Sequence, residues 1–231
     1  MYSKYLKRII DFTLSLLALI LLAPLLIVFL VIGAIVMKGS PVFRQPRPGI
    51  KDENGKEKIF YLLKLRSMTN EKDKSGEYLP DGERLTSYGK FIRETSIDEL
   101  PSLINIIKGE LSIVGPRPQL VKDMVFMTPE QRRRHDVRPG LTGLAQVNGR
   151  NNISWEEKLE WDLKYIDSGI TFMGDVKIVL KTIGKVLKRA DIVNEIPTPS
   201  ADYGDWLLES GKISEEQFEI GQQEANELLN V

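Results

Sequence analysis

Apolar residues fill one long segment close to the N-terminus of the chain. The 26 residues from 12 to 37 carry no charge and are mostly leucine, isoleucine, valine and alanine. A helix needs about 20 apolar residues to span the bilayer core, whereas the apolar part of a cleaved signal peptide is only about 7–15 residues long. The pattern therefore predicts a membrane helix rather than a signal peptide or the buried helix of a soluble protein.

Charges on both flanks of this segment indicate how it sits in the membrane. The flanking basic residues are Lys4, Lys7, Arg8, Lys38, Arg44, Arg47 and Lys51. Basic flanks mark the cytoplasmic side, so the two ends favour the same side of the membrane. Pro24 removes a helix hydrogen bond near the middle and predicts a kink. These features favour a re-entrant helix over residues 1–37, and a kinked single span is the alternative.

The rest of the chain alternates between short apolar runs, helical periodicity and polar turns. Runs at 41–47 and 58–65 flank Asn54-Gly55 and predict a β-hairpin. Helical spacing and capping signals predict five further helices, over 87–94, 99–108, 128–134, 154–166 and 214–229. The stretch 138–150 is rich in glycine and predicts a loop or a short strand.

A basic amphipathic helix is predicted at Lys177–Arg189. Its apolar residues fall at helical spacing, and its lysines lie largely off that stripe. Such a helix is typical of an element lying on an anionic membrane surface. It is equally typical of a surface helix that covers a protein core, and the sequence leaves both interpretations open.

The formal net charge of zero conceals an uneven distribution. Residues 191–231 hold ten acidic residues and one basic residue, whereas the other 190 residues hold 31 lysines and arginines against 22 acidic residues. A basic body favours an anionic partner such as a lipid headgroup, a nucleotide phosphate or a nucleic acid. The chain has no cysteine and a single histidine, His135, which argues against thiolate and histidine metal sites. His135 and Arg132–Arg134 are expected on a solvated basic face.

Adjacent carboxylates at Asp98 and Glu99 are the strongest candidate for chemistry. Ser96-Ile97-Asp98-Glu99 fits a capping box, with Ser96 as the helix N-cap and Glu99 three residues later. A helix start favours negative charge, so one interpretation is that both acids only cap the helix. The alternative is a site for a phosphate and its metal ion.

Cations near this pair in the sequence favour the second interpretation. Lys64 and Arg66 lie at the end of the second hairpin strand, and Arg93 precedes the acidic pair. Arg117 stands between two prolines in Gly115-Pro116-Arg117-Pro118, so a stiff backbone presents its guanidinium to a phosphate. A divalent cation would allow carboxylates and phosphates to share the site.

These motifs closely resemble those of the bacterial sugar transferases, the monotopic phosphoglycosyl transferases that begin glycoconjugate assembly on a polyprenyl phosphate. The resemblance covers roughly residues 1–190. The motifs that carry it are Lys64-Leu65-Arg66-Ser67-Met68, the nine residues Arg93–Pro101, Lys108–Pro118 and Arg138–Arg150. One departure is that the family often bends its membrane helix at Ser-Pro, whereas this chain has Ala23-Pro24.

The resemblance implies a two-step reaction with a UDP-sugar and a polyprenyl (undecaprenyl) phosphate. Asp98 would attack the sugar-bearing phosphorus, expel UMP and form a covalent aspartyl-phosphoryl-sugar, which the lipid phosphate would then attack. Glu99 would be the Mg²⁺ ligand. Lys64, Arg93 and Arg117 would hold phosphate oxygens.

The segment Arg138–Arg150 is, on the same resemblance, a candidate loop for the nucleotide. Its candidate contacts are Arg138, Gln146, Asn148 and Arg150. The alternative is that its proline and glycines only shape a tight turn. Trp155 and Trp161 are expected in core or interfacial packing rather than under a base.

The resulting prediction is a mainly helical α+β protein with a small β-hairpin. Residues 1–37 form the re-entrant membrane helix, 38–190 the catalytic domain with interfacial amphipathic helices, and 191–231 an acidic tail. The expected location is the bacterial plasma membrane with the catalytic domain on the cytoplasmic face. The expected partners are the UDP-sugar, polyprenyl phosphate and membrane lipid, without nucleic acid, and with a homodimer or downstream glycosyltransferases as further partners.

Two other functions also fit parts of the sequence. A membrane-anchored scaffold that binds anionic lipid explains the charge distribution and the apolar helix, but it gives the acidic pair and the Gly-Pro-Arg-Pro corner no role. A metal-dependent hydrolase of nucleotide sugars would use the same carboxylates without a lipid acceptor.

Overall fold

The predicted N-terminal helix is present and continuous in the computed structural model, which describes residues 1–149, 153–187 and 202–229. Helix α1 is Lys7–Met37 and follows a π-helical turn at Tyr2–Leu6. It continues through Pro24, and the helical stretch Tyr2–Met37 is long and apolar enough to cross a membrane. Many of its leucine, isoleucine and valine side chains are exposed, as expected for a helix that contacts lipid.

One side of α1 packs on the rest of the protein along most of its length. Arg8 donates to the carbonyl oxygens of Ile106 and Ile107 over 2.6 and 2.7 Å. Near the other end, the Tyr88 hydroxyl donates to the carbonyl oxygen of Phe29 over 2.8 Å. The buried Asp11 accepts a 2.7 Å hydrogen bond from the Ser112 hydroxyl. The helix is therefore part of the body's packing rather than a separate anchor.

The predicted hairpin is confirmed as strands β1 (Val42–Lys51) and β2 (Glu57–Leu65), which pair antiparallel. Four helices and a strand follow in chain order: α2 (Asp81–Arg84), α3 (Ser87–Glu94), α4 (Ser102–Lys108), β3 (Ser112–Val114) and α5 (Val121–Met124). Strand β4 (Gly140–Thr142) pairs parallel with β3. Gly140 is required there, because a Cβ on it would lie 2.1 Å from the Gly115 nitrogen.

The remaining described elements are helical: α6 (Leu144–Asn148), α7 (Trp155–Asp167), α8 (Phe172–Leu187), α9 (Tyr203–Glu209) and α10 (Glu215–Leu229). The capping box predicted for α7 is confirmed, since Ser154 and Glu157 each accept from the other's backbone nitrogen. Helix α6 is a correction, because its stretch was expected to be a loop or strand. The helix predicted at 128–134 is a 3-10 turn at Gln131–His135.

Helix α8 contains the amphipathic segment as far as Leu187. Its Ile178 is buried in a core cluster, whereas Leu180 and Ile183 are exposed. The helix therefore covers part of the core and also presents apolar side chains outward. Residues 188–189 of the predicted helix lie outside the described residues.

The acidic C-terminal helices pack on the body. Phe126 fits against Gly204 and Gly221, where an added Cβ would lie 2.4 and 2.3 Å from its ring. Tyr203 is buried beside Trp155, with their ring centroids 5.1 Å apart, which agrees with the expected packing role of Trp155. The predicted boundary between residues 190 and 191 lies outside the described residues and stays a prediction.

Candidate active site

The acidic pair lies in a tight turn rather than at the start of a capped helix. Ser96 adopts a left-handed conformation with φ of +57°, and its side chain makes no capping hydrogen bond. Ile97–Glu99 form one turn of 3-10 helix, and α4 begins only at Ser102. The predicted capping box is therefore wrong, because an N-cap residue has an extended backbone. A positive φ at a serine is unusual.

Glu99 is held in place by two cations. Its Oε1 accepts from the Lys64 ammonium and from the Arg117 guanidinium, each over 2.9 Å. Burial alone would raise the pKa of Glu99, but Arg117 and Lys64 outweigh burial and lower that pKa to about 2. Glu99 is consequently ionised at neutral pH, and its position is fixed.

Asp98, the neighbouring residue, is in a different state. Its side chain makes no hydrogen bond or ion pair with any described residue, and burial raises its pKa from the ordinary value, with Glu99 acting in the same direction. Lys64, Arg117 and Arg93 oppose this rise. The pair thus combines a carboxylate that is bound with one that is available to a ligand, and this contrast favours a reactive role for Asp98.

Asp98 and Glu99 line a large cleft of about 1010 Å³. Of the other candidates from the sequence, the cleft is lined by Lys64, Arg93, Arg117 and Gln146. Elements distant in sequence supply these groups: β2, α3, the Pro116–Pro118 corner and α6. A cleft of this size accommodates a nucleotide and a sugar, and its cationic lining suits their phosphates.

Two of the nucleotide-side candidates, Arg138 and Asn148, do not line the cleft. Arg138 donates its Nε to the carbonyl oxygen of Gly109 over 2.9 Å. Asn148 donates to the carbonyl oxygen of Leu144 within α6. For both residues these backbone contacts favour a role in shaping the local chain over a role in binding the nucleotide. Arg150 lies outside the described residues, so its predicted role stays a prediction.

Arg134 does not line the cleft but contacts the main chain of Arg117, which does. The sequence did not indicate this role. It was expected on a solvated basic face, but its side chain is only 1% exposed. It donates to the Arg117 carbonyl oxygen over 2.6 Å and to Asp162 Oδ2 over 2.6 Å. His135 is buried as well, with Glu57 3.2 Å from its Nδ1. The expectation is wrong for both residues, because partners far away in sequence neutralise and bury them.

Glu99 is compatible with a magnesium ion that substrate phosphates help to hold. Its carboxylate is ionised, and Oε2 makes no hydrogen bond with the described residues. Among those residues no three histidine, cysteine or carboxylate side chains converge, so the protein alone does not form a metal cage. Mg²⁺ usually binds through one or two carboxylates together with phosphate oxygens, and the donor set fits that mode.

Comparisons with known proteins identify the family. A family model described as "Bacterial sugar transferase" matches residues 2–189. The chain is 48% identical to the "Uncharacterized sugar transferase EpsL" of Bacillus subtilis over 184 residues, which are 79% of this chain and 87% of that protein. It is 38% identical to a "UDP-glucose:undecaprenyl-phosphate glucose-1-phosphate transferase" of Klebsiella pneumoniae, over 78% of this chain and 39% of that protein.

A protein of the same name from Caulobacter vibrioides is 34% identical, over 78% of this chain and 69% of that protein. The chain thus spans most of the Bacillus subtilis protein but about two-fifths of several other relatives. The family match and the long aligned stretches agree with the motifs around Asp98 and Arg117. The chain belongs to the bacterial sugar transferase family.

Proposed function

We propose that the protein transfers a sugar 1-phosphate from a UDP-sugar to a polyprenyl phosphate and releases UMP. The observation that carries the proposal is the contrast within the acidic pair. Glu99 is fixed by Lys64 and Arg117, whereas Asp98 is unpaired in a cationic cleft. Several relatives are named as undecaprenyl-phosphate sugar transferases, which supports this substrate class.

In the first step, an Asp98 carboxylate oxygen attacks the phosphorus that bears the sugar. A bond forms between that oxygen and phosphorus, and the bond from phosphorus to the bridging oxygen of the diphosphate breaks. UMP leaves with the electron pair, and Asp98 carries the sugar phosphate. Asp98 must be deprotonated to attack, and the cations facing it favour that form.

Lys64, Arg93 and Arg117 bind the phosphate oxygens in this proposal. Arg93 projects from α3, where its Nε donates to the Ser67 hydroxyl over 2.8 Å and leaves the outer nitrogens of its guanidinium for a ligand. The fixed positions of Lys64 and Arg117 lower the cost of organising charge during phosphoryl transfer. When bound at Glu99, Mg²⁺ would supply charge neutralisation for the diphosphate.

In the second step, a phosphate oxygen of the polyprenyl phosphate attacks the same phosphorus. The Asp98–phosphorus bond breaks, which regenerates the carboxylate and leaves a polyprenyl diphosphate sugar. The acceptor is confined to the membrane, so the cleft has to lie at its surface. The packing of α1 against the body supports this, because the helix contacts the body near both ends, at Arg8 and at Phe29.

The same packing supports the re-entrant arrangement. A straight span perpendicular to the membrane would carry the polar body that contacts both ends of α1 into the bilayer, where unpaired polar groups are costly. A helix that enters and returns on one side keeps the body outside. Basic residues on both flanks favour the cytoplasmic face of the bacterial plasma membrane.

An assay of UMP release separates this function from its rivals. We expect UMP from a UDP-sugar in the presence of Mg²⁺, with turnover that continues only when polyprenyl phosphate is present. A scaffold would release no UMP. A hydrolase would turn over equally well without lipid, and either result would contradict the proposal.

Labelling of single cysteines tests the arrangement in the membrane. The natural chain has no cysteine, so Ser3→Cys and Ser40→Cys each introduce one site on either side of α1. We expect an impermeant thiol reagent to label both variants only from the cytoplasmic side. Labelling from opposite sides would establish a single span instead.

A further inference from the structure

Arg66 has no partner in the wall of the cleft. It is half-buried and lines the cleft, yet its side chain makes no hydrogen bond or ion pair with any described residue. Its Nε is buried without a partner. A buried donor without a partner is costly, so an arginine in this state indicates that an anionic ligand supplies the missing partner.

Other cations along the cleft differ from Arg66. Arg117 is paired with Glu99, and Arg84 is paired with Asp81 over 2.5 Å. Arg47 donates to the carbonyl oxygen of Pro118 over 3.1 Å and to Gln45. Arg47 and Arg84 also carry a buried Nε without a partner. Arg66 differs from these three arginines because no nitrogen of its guanidinium is paired with a described residue.

The position of Arg66 relates it to the membrane helix. Side chains alternate between the two faces of a strand. Leu65, the last residue of β2, packs with Leu26 of α1, and its neighbours Lys64 and Arg66 both line the cleft. Ile92 packs in the same cluster, and the next residue, Arg93, also lines the cleft.

Two sets of cations can therefore be distinguished in the cleft. Lys64 and Arg117 bind Glu99 and hold the acidic pair. Arg66 and Arg93 each follow a residue that packs on the apolar helix α1, and neither has a carboxylate partner among the described residues. Lys64 also adjoins Leu65, so the two sets differ in their pairing: Lys64 and Arg117 bind a carboxylate, whereas Arg66 and Arg93 are left for a ligand.

We propose that Arg66, together with Arg93, binds the phosphate group of the lipid acceptor. This inference rests on the proposed function. It assigns the phosphates of the two substrates to different parts of the cleft. The donor diphosphate lies at Lys64 and Arg117, and the lipid phosphate reaches the cleft from the side supported by Leu26. A phosphate between two arginines forms charge-assisted hydrogen bonds, which Arg can make in pairs.

The test compares Arg66→Gln with Arg44→Gln in the full-length protein in detergent. Arg44 is an exposed arginine of β1 that does not line the cleft, so the control removes the same charge. Two rates are measured: the single-turnover release of UMP without lipid, and turnover as a function of polyprenyl phosphate concentration. We expect Arg66→Gln to keep the first rate within about twofold and to raise the KM for polyprenyl phosphate about tenfold, the effect of losing about 1.4 kcal/mol of binding.

Three further readouts keep the result interpretable. Arg66→Lys should raise the KM for polyprenyl phosphate less than Arg66→Gln does, because lysine restores the charge but not the paired N–H donors of a guanidinium. The melting temperature of Arg66→Gln should not fall, because the arginine has no partner to lose; a fall would indicate a structural role and contradict the proposal. Stabilisation of the protein by added polyprenyl phosphate should shrink in Arg66→Gln but not in Arg44→Gln.

Other outcomes would overturn the proposal. Equal slowing of UMP release without lipid would assign Arg66 to the donor diphosphate, and unchanged kinetics in both assays would leave it without a ligand. If the wild-type protein released no UMP at all, the proposed function would fail, and the lipid-stabilisation measurement would then decide the role of Arg66 by itself.

Discussion

The buried guanidinium of Arg134 donates to the main-chain carbonyl oxygen of Arg117 over 2.6 Å. Arg117 in turn donates to Glu99 over 2.9 Å. Arg134, which does not line the cleft, therefore positions Arg117, which does. Asp162 completes the arrangement, because its Oδ2 accepts from Arg134 over 2.6 Å.

Removal of Arg134 should destabilise the protein and impair the reaction. Arg134→Met leaves the Asp162 carboxylate buried without its partner, which we expect to cost about 3–5 kcal/mol. The double variant Arg134→Met, Asp162→Leu removes both charges and should recover most of that stability. UMP release should stay reduced in the double variant, because the Arg117 carbonyl oxygen still lacks its donor. Full activity there would show that Arg134 serves stability alone.

Replacement of Glu99 should reduce turnover without unfolding the protein. Glu99→Gln removes the charge that holds Lys64 and Arg117, and we expect a loss of about 100-fold or more in kcat. The Mg²⁺ concentration that gives half-maximal activity should also rise, since an amide is a weaker ligand for a hard cation. Glu160→Gln, on the exposed face of α7, is the control and should match the wild type. Normal activity of Glu99→Gln would contradict the role given to this carboxylate.

Acid should destabilise the fold through His135 before most carboxylates titrate. Burial lowers the pKa of His135 from 6.5 to about 4, with Arg134 and Arg132 acting in the same direction and Glu57 opposing. Between those two values the unfolded state binds a proton that the folded state does not, so stability falls as the pH falls. The shift corresponds to a loss of about 3 kcal/mol across that window.

Melting temperatures measured from pH 7 to pH 4 check this expectation. His135→Gln removes the titrating group, and its melting temperature should depend less on pH between 6.5 and 4. An identical pH dependence in the variant would assign the acid sensitivity to other groups. Glu57, which is paired with Arg132, is one such group. Its pKa is lowered, so Glu57 titrates at more acidic pH than His135.

The C-terminal helices should unfold together with the body. Gly221→Ala would place a Cβ 2.3 Å from the Phe126 ring, and we expect it to cost about 1–3 kcal/mol through overpacking. Gly184→Ala in α8 is the control, because nothing lies within 4 Å of the added Cβ. It should be neutral or slightly stabilising. Equal melting temperatures for the two variants would indicate that α10 does not depend on this contact.

Local patterns predicted the elements whose causes are local. The hairpin at Asn54-Gly55, helix α3 and the capping box at Ser154 follow from residues within a few positions of one another. The cationic set around Asp98 was also predictable by type, since the sequence presents Lys64, Arg93 and Arg117 in motifs suited to phosphate. The left-handed Ser96 was not, because Ser-x-x-Glu indicates a cap unless tertiary packing overrides it.

Long-range pairing explains what the sequence left hidden. Arg134 resembles a surface residue within its Arg-Arg-Arg run, and only the approach of Asp162, 28 residues later, makes its burial possible. The unpaired state of Arg66 and the availability of Asp98 are likewise properties of the assembled cleft. Residue type alone does not predict either property. Each depends on which side chains of the described residues come close to Arg66 or Asp98 in the fold.

The most direct test of the covalent mechanism is the mass of the tryptic peptide 94–108 after incubation with a UDP-sugar and Mg²⁺ without lipid. Trypsin cleaves after Arg93 and Lys108, so this peptide contains Asp98. The covalent mechanism predicts a mass increase of one sugar phosphate on Asp98, its loss on addition of polyprenyl phosphate, and its absence in Asp98→Asn. Continued lipid-dependent release of UMP by Asp98→Asn, with no adduct on the wild-type peptide, would contradict it.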